Sequence, residues 1–493
     1  MSKTLYVTTT IPYVNAPPHI GFALELVQAD AIARYNRLVG RTVRLQSGTD
    51  ENAFKNVLSA QARGIPVELL VSENAERFRK LGDLLNIAQD AFVRTTSPEH
   101  RIAVHAFLGR LRPDDVYRAA YQGLYCNGCE DFYLERDLVD SNCPEHQTRV
   151  TEIEEHNYFF RLSAYQAQLH ELIASRRLRV LPEARETEVL RFIERGLADI
   201  SISRDAARSA GWGIRYPGDN SQVVYVWIDA LVNYLTGLGF PGADAERNWH
   251  DCEKLHVIGK NVWKFHAVYW PALLLSAGLP VPDTIFTHGF LTIDGEKISK
   301  SSGPVIDPAE CIAAFGSDAV RYFLLRHIRP TEDTDFTETR LADAYTNDLA
   351  NGLGNLCSRL TTLCESAELA GISSNGRPGA RPRYHEHLAA FRFDRAIETL
   401  SAEITVLNRQ IGDAEPWREI AAGNLSVVRS RLREWAERLD AVAYWLQPFL
   451  PATGARIRSA LTTPRIQKCA PLFPRLLSKH RTSGERTHAA PTA

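Results

Sequence analysis

The apolar positions of this chain follow two rhythms, one near each end. At the start, Thr4-Leu-Tyr-Val-Thr-Thr-Thr10 is an unbroken apolar and β-branched run, which predicts a buried strand leading to a turn marked by Pro17-Pro18. From Leu24 to Leu38 the apolar residues recur at helical spacing, and Thr42 to Leu45 predicts a second strand ending at Gly48-Thr-Asp50. Strand, helix, strand in this order points to an open parallel sheet with its chemistry at the strand C-termini. The pattern is interrupted from about Tyr117 to Trp212 and resumes at Val223-Val-Tyr-Val-Trp227 and Leu255-His-Val-Ile258, read as further strands. After about Asp343, amphipathic segments succeed one another and predict an all-α bundle. Ser478 to Ala493 is polar and predicts a disordered tail.

Composition narrows the class. A chain of 493 residues is too long for one core, so two or three domains are expected. Hydrophobic content of 44% and charged content of 24% are those of a globular protein in water. The net charge of −2 gives no global sign of a nucleic-acid partner, so any RNA contact must use local basic patches. No apolar run reaches membrane-spanning length, and the N-terminus lacks the layout of a signal peptide, so a cytoplasmic location is expected. Met1 is the only methionine.

Eight cysteines in such a chain argue for thiols or metal ligation rather than disulfides. Cys126-Asn-Gly-Cys129 followed by Cys143-Pro-Glu-His146 has the spacing of a zinc knuckle. Thiolates and imidazole suit tetrahedral Zn²⁺, and four protein ligands leave no open position, so the metal is read as structural. Cys252, Cys311, Cys357, Cys364 and Cys469 lack such spacing and read as core thiols.

Two short segments carry the remaining chemistry. His19-Ile-Gly-Phe22 opens the first helix, where free N–H groups and a partial positive charge suit phosphate. Gly21 leaves room for a nucleotide base against the backbone. Lys297-Ile-Ser-Lys-Ser301 lies in a polar turn, and Lys297 and Lys300 are placed to meet a leaving pyrophosphate.

In this order the two segments resemble the H-I-G-H and K-M-S-K-S signatures of class I aminoacyl-tRNA synthetases. The resemblance is closest to methionyl-tRNA synthetases with one zinc knuckle. It extends through Tyr125-Cys126, Asn157-Tyr-Phe-Phe-Arg161, Ile202-Ser-Arg204, Tyr225-Val-Trp-Ile-Asp-Ala230 and His288-Gly289. It implies a Rossmann-type α/β catalytic domain in halves 1–116 and 213–342, the second with the stem of the lysine loop. A connective insertion with the zinc knuckle over 117–212 and a helical anticodon-binding domain over 343–477 complete the expected map. The implied reaction joins methionine to ATP, with Mg²⁺, and transfers it to tRNA(Met). By resemblance, His19, Gly21, Lys297 and Lys300 are catalytic. Asp50 holds the substrate ammonium, Arg204 is a site cation, and Ile11, Tyr13, Trp227, Ala230, Tyr234 and His288 line the methionine pocket. Asn355, Arg359 and Trp417 match the residues that read the anticodon. No further domain comes after the bundle, so a monomer is expected.

The match breaks at four places. Phe22 stands where the family has histidine, Asn52 and Ala53 where it has His-Gly, and Asn261 where it has Asp. These departures keep two other functions open: a tRNA-independent enzyme that activates an amino acid in a biosynthetic pathway, and a non-catalytic tRNA-binding protein.

Overall fold

The computed structural model describes residues 3–126, 131–133, 135, 138–144, 147–293, 296–297, 306–373, 378–379 and 381–476. The expected tail over 478–493 lies outside them. The chain divides into two compact units, one of Met1–Ala29, Val39–Asp83 and Ala88–His288, the other of Asp30–Leu38, Leu84–Ile87 and Gly289–Ala493.

A six-stranded parallel sheet organises the first unit. Its order is Ala91–Arg94, Val43–Thr49, Leu5–Thr9, Glu253–Gly259, Thr284–His288, Arg179–Leu181. All five residues of the central strand Leu5–Thr9 are buried. A parallel strand covered on both faces needs no polar alternation, which is why the sequence shows none. The order reverses between Leu5–Thr9 and Glu253–Gly259, and such a switch point opens a crevice at the strand C-terminal ends. Around the sheet, Trp249 and Trp270 are fully buried and meet edge to face at 6.2 Å. Burial of one such side chain contributes about 2–3 kcal/mol by area.

The helix Ile20–Leu38 begins at Ile20 rather than Leu24, because Gly21 breaks the apolar spacing without breaking the helix. A second difference concerns Val223 to Trp227, which is not a strand of the parallel sheet. Val223 and Val224 end the antiparallel strand Asp219–Val224, paired with Ser203–Asp205. The chain then turns at Tyr225, whose carbonyl accepts from Ile228 and Asp229 N–H at 2.8 and 3.1 Å, into the helix Val226–Thr236. Only Trp227 and Thr236 of that helix are not fully buried. A helix buried on nearly every side shows no polar face, so its periodicity cannot separate it from a strand.

An antiparallel sheet interrupts the parallel one, in the order Asp131–Tyr133, Val116–Cys126, Thr151–Phe160, Ile200–Ser201. Its long pair runs in register from Val116 opposite Phe160 to Tyr125 opposite Thr151.

The second unit is mainly helical. The unit also holds a small sheet of Glu296–Lys297, Leu291–Ile293 and Thr334–Asp335, with the helices Pro308–Phe315 and Ser317–Arg326 falling in sequence before its last strand. Its long arms are Phe393–Ala414 and Leu425–Leu446. Phe393, Ile397, Leu400, Ile404, Leu407 and Ile411 are buried along one face of the first arm, at spacings of three and four. Arg321 anchors this unit. It is fully buried, pairs with Asp30 at 2.7 Å and donates to the carbonyls of Phe449, Pro448 and Leu85 at 2.8, 2.9 and 3.2 Å. A guanidinium so surrounded by acceptors holds three chain segments in fixed register. Among the described residues, no helix is long and apolar enough to cross a membrane.

Candidate active site

The crevice takes its shape from the segments just beyond the strand ends. Thr10 leaves the central strand and donates to Glu25 Oε1 through both its N–H and its Oγ1, at 2.7 and 2.5 Å. The other carboxylate oxygen, Oε2, meets His288 Nε2 at 2.8 Å. Lys260 N–H donates to His288 O at 3.2 Å. Glu25, on the first helix, thus ties together the ends of Leu5–Thr9 and Thr284–His288, and charge-assisted bonds of this kind hold their geometry firmly. Sequence reading missed Glu25. Its signal was the one carboxylate inside the otherwise apolar run Ala23-Leu24-Glu25-Leu26-Val27.

The helix start lies at the same end of the sheet. Gly21 N–H donates to His19 Nδ1 at 3.1 Å, so the imidazole folds back over the first turn. A Cβ on Gly21 would lie 2.9 Å from His19 Cε1, closer than real contacts allow. Because Nδ1 accepts, the proton of the neutral ring sits on Nε2. Phe22 is turned away from this chemistry. It is buried edge to face on Phe78, centroids 5.0 Å apart, and pins the helix start to Val67–Leu84.

Asp50 arrives from the neighbouring strand, Val43–Thr49, and is buried. Its N–H donates to Pro12 O at 2.9 Å, and it forms a parallel bridge with Tyr13. Gly48 permits this approach, since a Cβ there would lie 2.3 Å from Val93 O and 3.0 Å from Ile11 Cγ2. Ile11, Tyr13 and Asp50 are thereby gathered at one place. Tyr13 also packs against Trp227 at 6.0 Å, and Trp227 lies flat on Phe265 at 3.9 Å and 5°.

Ala230 and Tyr234 come after Trp227 on the helix Val226–Thr236, and both are buried. Tyr234 bonds to His266 Nε2 at 2.7 Å, while His266 Nδ1 lies 2.9 Å from Val262 O. A carbonyl only accepts, so Nδ1 carries the proton. Burial, against a smaller upward pull from that carbonyl bond and from Glu25, lowers the His266 pKa to about 4. The ring is therefore neutral near pH 7, Nε2 accepts, and the Tyr234 hydroxyl is the donor. Burial and the Glu25 charge raise the Tyr234 phenol above its usual range. The Tyr234 proton is thus committed to His266.

A second buried network joins the strand-end loop to the same helix. Asn52 Nδ2 donates to Asp229 Oδ2 at 2.7 Å and to Thr95 O at 3.1 Å. The other oxygen of Asp229 meets His100 Nε2 at 2.7 Å, and His100 Nδ1 lies 2.8 Å from Thr236 Oγ1. Asp229 and His100 are fully buried. Glu51, between Asp50 and Asn52, is also buried, and accepts from Thr49 and Thr96 hydroxyls and from Arg94 Nε at 2.7 Å. Of the other departures, Ala53 is buried and Asn261 is exposed.

Arg204 stands in a small cleft that it shares with Asn52, Tyr125, Arg208, Trp212 and Tyr225. Its guanidinium lies 3.8 Å from the Tyr225 ring centroid and bonds to Ser201 Oγ and Ser203 O at 2.9 and 2.8 Å. Lys297 falls in the short strand Glu296–Lys297 of the second unit. Its side chain and Lys300 lie outside the described residues.

At the candidate metal knuckle, Cys126 closes the strand Val116–Cys126, and both Cys126 and Cys143 are buried. Cys126 Sγ lies 3.9 Å from Thr148 Oγ1, and Cys143 N–H donates to Thr148 O at 2.9 Å, so both residues meet Thr148. Cys129 and His146 lie outside the described residues. In the helical unit, Asn355 begins the helix Asn355–Ser366 and is exposed, with Arg359 one turn on. The Arg359 guanidinium lies 5.3 Å from the Trp417 ring centroid, and Trp417 is 42% exposed despite its size.

The model of the family described as tRNA synthetases class I (M) matches residues 5–153 and 146–361. A methionine–tRNA ligase of Thermosynechococcus vestitus is 40% identical over 483 residues, covering 94% of this chain and 90% of that protein. A methionine–tRNA ligase of Thermotoga maritima is 37% identical over 470 residues, covering 92% and 74%. The solved structure of Mycobacterium tuberculosis methionyl-tRNA synthetase in complex with methionyl-adenylate superposes with a TM-score of 0.87 at 35% identity, covering 96% of this chain and 100% of that one.

Proposed function

The chain belongs to the class I tRNA synthetases of the methionine type, and from that membership we infer that it is a methionine–tRNA ligase, activating methionine with ATP and charging tRNA. One geometric observation carries the reading. The helix start with His19 and Gly21 and the buried carboxylate of Asp50 emerge from adjacent parallel strands, joined by the Tyr13–Asp50 bridge and walled by Trp227.

In the first step a methionine carboxylate oxygen attacks the α-phosphorus of ATP, the bond to the bridging oxygen breaks, and pyrophosphate leaves. His19 at the helix N-terminus, with Lys297 and Lys300, supplies donors and positive charge to the phosphates, a gain largest in the transition state. Mg²⁺, when bound with ATP, would neutralise part of the same charge. Asp50 holds the ammonium, and Arg204 is the site cation. Ile11, Tyr13, Trp227, Ala230, Tyr234 and His288 form the side-chain pocket. Each methylene in such a pocket discriminates by only about 1–3 kcal/mol, so fit must come from several walls together. In the second step a terminal ribose hydroxyl of tRNA attacks the adenylate carbonyl carbon, and AMP leaves. No general base is required where positioning and electrostatics lower the barrier.

The same proposal assigns catalysis to residues 1–116 and 213–342, a zinc-bearing insertion to 117–212 and anticodon reading to 343–477, with Asn355, Arg359 and Trp417 contacting the bases. Cys126, Cys129, Cys143 and His146 would hold Zn²⁺. Two buried thiols beside Thr148 suit that cation, whose role when bound is a structural cross-link. The protein acts as a cytoplasmic monomer. A tRNA-independent enzyme and a non-catalytic RNA-binding protein are not favoured, since relatives named as methionine–tRNA ligases match along 94% and 92% of the chain.

ATP–pyrophosphate exchange over a panel of amino acids, followed by charging of tRNA(Met), tests the reading. Exchange that depends on methionine, with charging, is the expected result. Exchange without charging would leave only the tRNA-independent function standing, and absence of exchange with every amino acid would leave only the non-catalytic one.

A further inference from the structure

The helical unit holds a pair of thiols that tRNA charging leaves unused. Cys357 lies in the helix Asn355–Ser366 and is fully buried. Cys469 lies in the non-helical segment beyond Pro451–Leu461 and is only half-buried. The two are 112 residues apart in sequence, yet their sulfurs are 3.4 Å apart. A disulfide needs about 2 Å, so a small shift of the side chains closes the bond.

The backbones on both sides are held in place. Thr361 Oγ1 accepts from Cys469 N–H at 3.1 Å and donates to Cys357 O at 2.8 Å. Arg456 donates to the carbonyls of Leu472 and Pro471 at 3.3 and 3.1 Å, and Tyr345 to Pro474 O at 2.6 Å. The hydrogen bond from Cys357, aided by Thr361 and the Arg456 charge, holds the Cys469 thiol below its usual range. The more accessible sulfur is thus also the one with more thiolate character, and the thiolate is the nucleophile. Cys311 and Cys364 differ from it, since burial pushes each of their thiols up to about 12.

We propose that Cys357 and Cys469 form a peroxide-responsive thiol pair, with Cys469 as the attacking sulfur and Cys357 as the resolving one. The Cys469 thiolate attacks one oxygen of hydrogen peroxide, the O–O bond breaks, and hydroxide leaves, giving a sulfenic acid. The Cys357 sulfur then attacks that sulfenic sulfur, loses its proton and displaces hydroxide, and the two released hydroxides are protonated to water. Both sulfurs are oxidised and the peroxide oxygens are reduced. In a reducing compartment such a bond is transient and is undone by cellular thiols, as befits a sensor. The bond ties the C-terminal segment covalently to the helix that carries Asn355 and Arg359. Formation of the bond does not depend on the proposed ligase function, so it is tested without substrate.

The full chain is reduced, freed of reductant, exposed to equimolar hydrogen peroxide, alkylated and digested. The expected product is a cross-linked peptide pair containing residues 357 and 469, lighter by two hydrogen atoms and separated again by dithiothreitol. Cys357→Ser is expected to give a sulfenic acid at Cys469 that dimedone traps, and Cys469→Ser to leave Cys357 open to alkylation. Recovery of both residues fully alkylated after the peroxide is consumed overturns the proposal. So does sulfinic acid at Cys469 beside an unchanged Cys357 thiol. If either variant fails to fold, the cross-link in the unsubstituted chain decides alone.

Discussion

At the scale of single residues, Asn52 shows how one amide can join two segments beside the proposed pocket. It bridges the loop after Asp50 to Asp229 on the helix that bears Trp227, Ala230 and Tyr234, with a 2.7 Å bond to a fully buried carboxylate. Asn52→Asp places like charge against Asp229, and breaking a buried polar pair this way costs about 2–4 kcal/mol. The expected outcome is a rise of tenfold or more in KM for methionine in pyrophosphate exchange, with KM for ATP changed far less. Asn52→His retains a donor and is expected to fall between the two. An equal rise in both constants would mean that Asn52 serves general stability and not the pocket. Phe22 teaches the converse. It stands where the family has histidine and is buried as a core residue on Phe78, because a helix start offers side chains to opposite directions within one turn.

At the scale of elements, the helix Val226–Thr236 rests on two neutral imidazoles. His266 accepts from Tyr234, and His256 stacks on Tyr234 at 4.2 Å and bonds to Thr8 Oγ1 at 2.6 Å. Burial lowers both, His266 to about 4 and His256 well below its usual 6.5, with His266 and Lys254 adding to the fall for His256. In the unfolded chain each ring gains its proton as pH falls through about 6.5, whereas the folded chain keeps His266 neutral until about pH 4. Stability from this group is therefore complete above about pH 6.5 and is lost between there and about pH 4, with about 2 kcal/mol gone by about pH 5. Denaturant unfolding across that range is expected to show the slope, and His266→Asn to reduce it, with the share of His256 remaining. The strand Val43–Thr49 has its own sensitive point. A Cβ at Gly48 would lie 2.3 Å from Val93 O, a backbone atom that cannot swing aside. Gly48→Ala is expected to destabilise the fold by about 3 kcal/mol, read as a lower denaturant midpoint, and a loss under about 1 kcal/mol would show that the strands part easily.

At the scale of the whole molecule, the proposed division of labour predicts separable defects. Trp417 is 42% exposed and lies under the Arg359 guanidinium, an arrangement that offers a stacking face to an unstacked base. Base stacking on an aromatic ring is worth about 1–3 kcal/mol. Trp417→Ala is expected to lower kcat/KM for tRNA charging by about 10- to 100-fold while leaving methionine-dependent pyrophosphate exchange unchanged. Loss of both activities together would place Trp417 in the packing of the helical unit instead.

Local pattern alone determined the strand, helix, strand start of a parallel sheet, the helical second half, and the segments where phosphate and metal chemistry were to be sought, while the methionine and RNA residues followed only from the family resemblance. It did so because strand burial, helix starts and ligand spacing are written in neighbouring residues. Tertiary structure alone decided which residues meet. Glu25 reaches His288 across 263 positions, Asn52 reaches Asp229 across 177, and Cys357 reaches Cys469 across 112. It also turned the run at Val223 into a strand end and a buried helix, and turned Phe22 inward. Periodicity reports which face of an element is apolar, but the partner on that face is chosen by packing between elements far apart in the chain, and no local pattern records it.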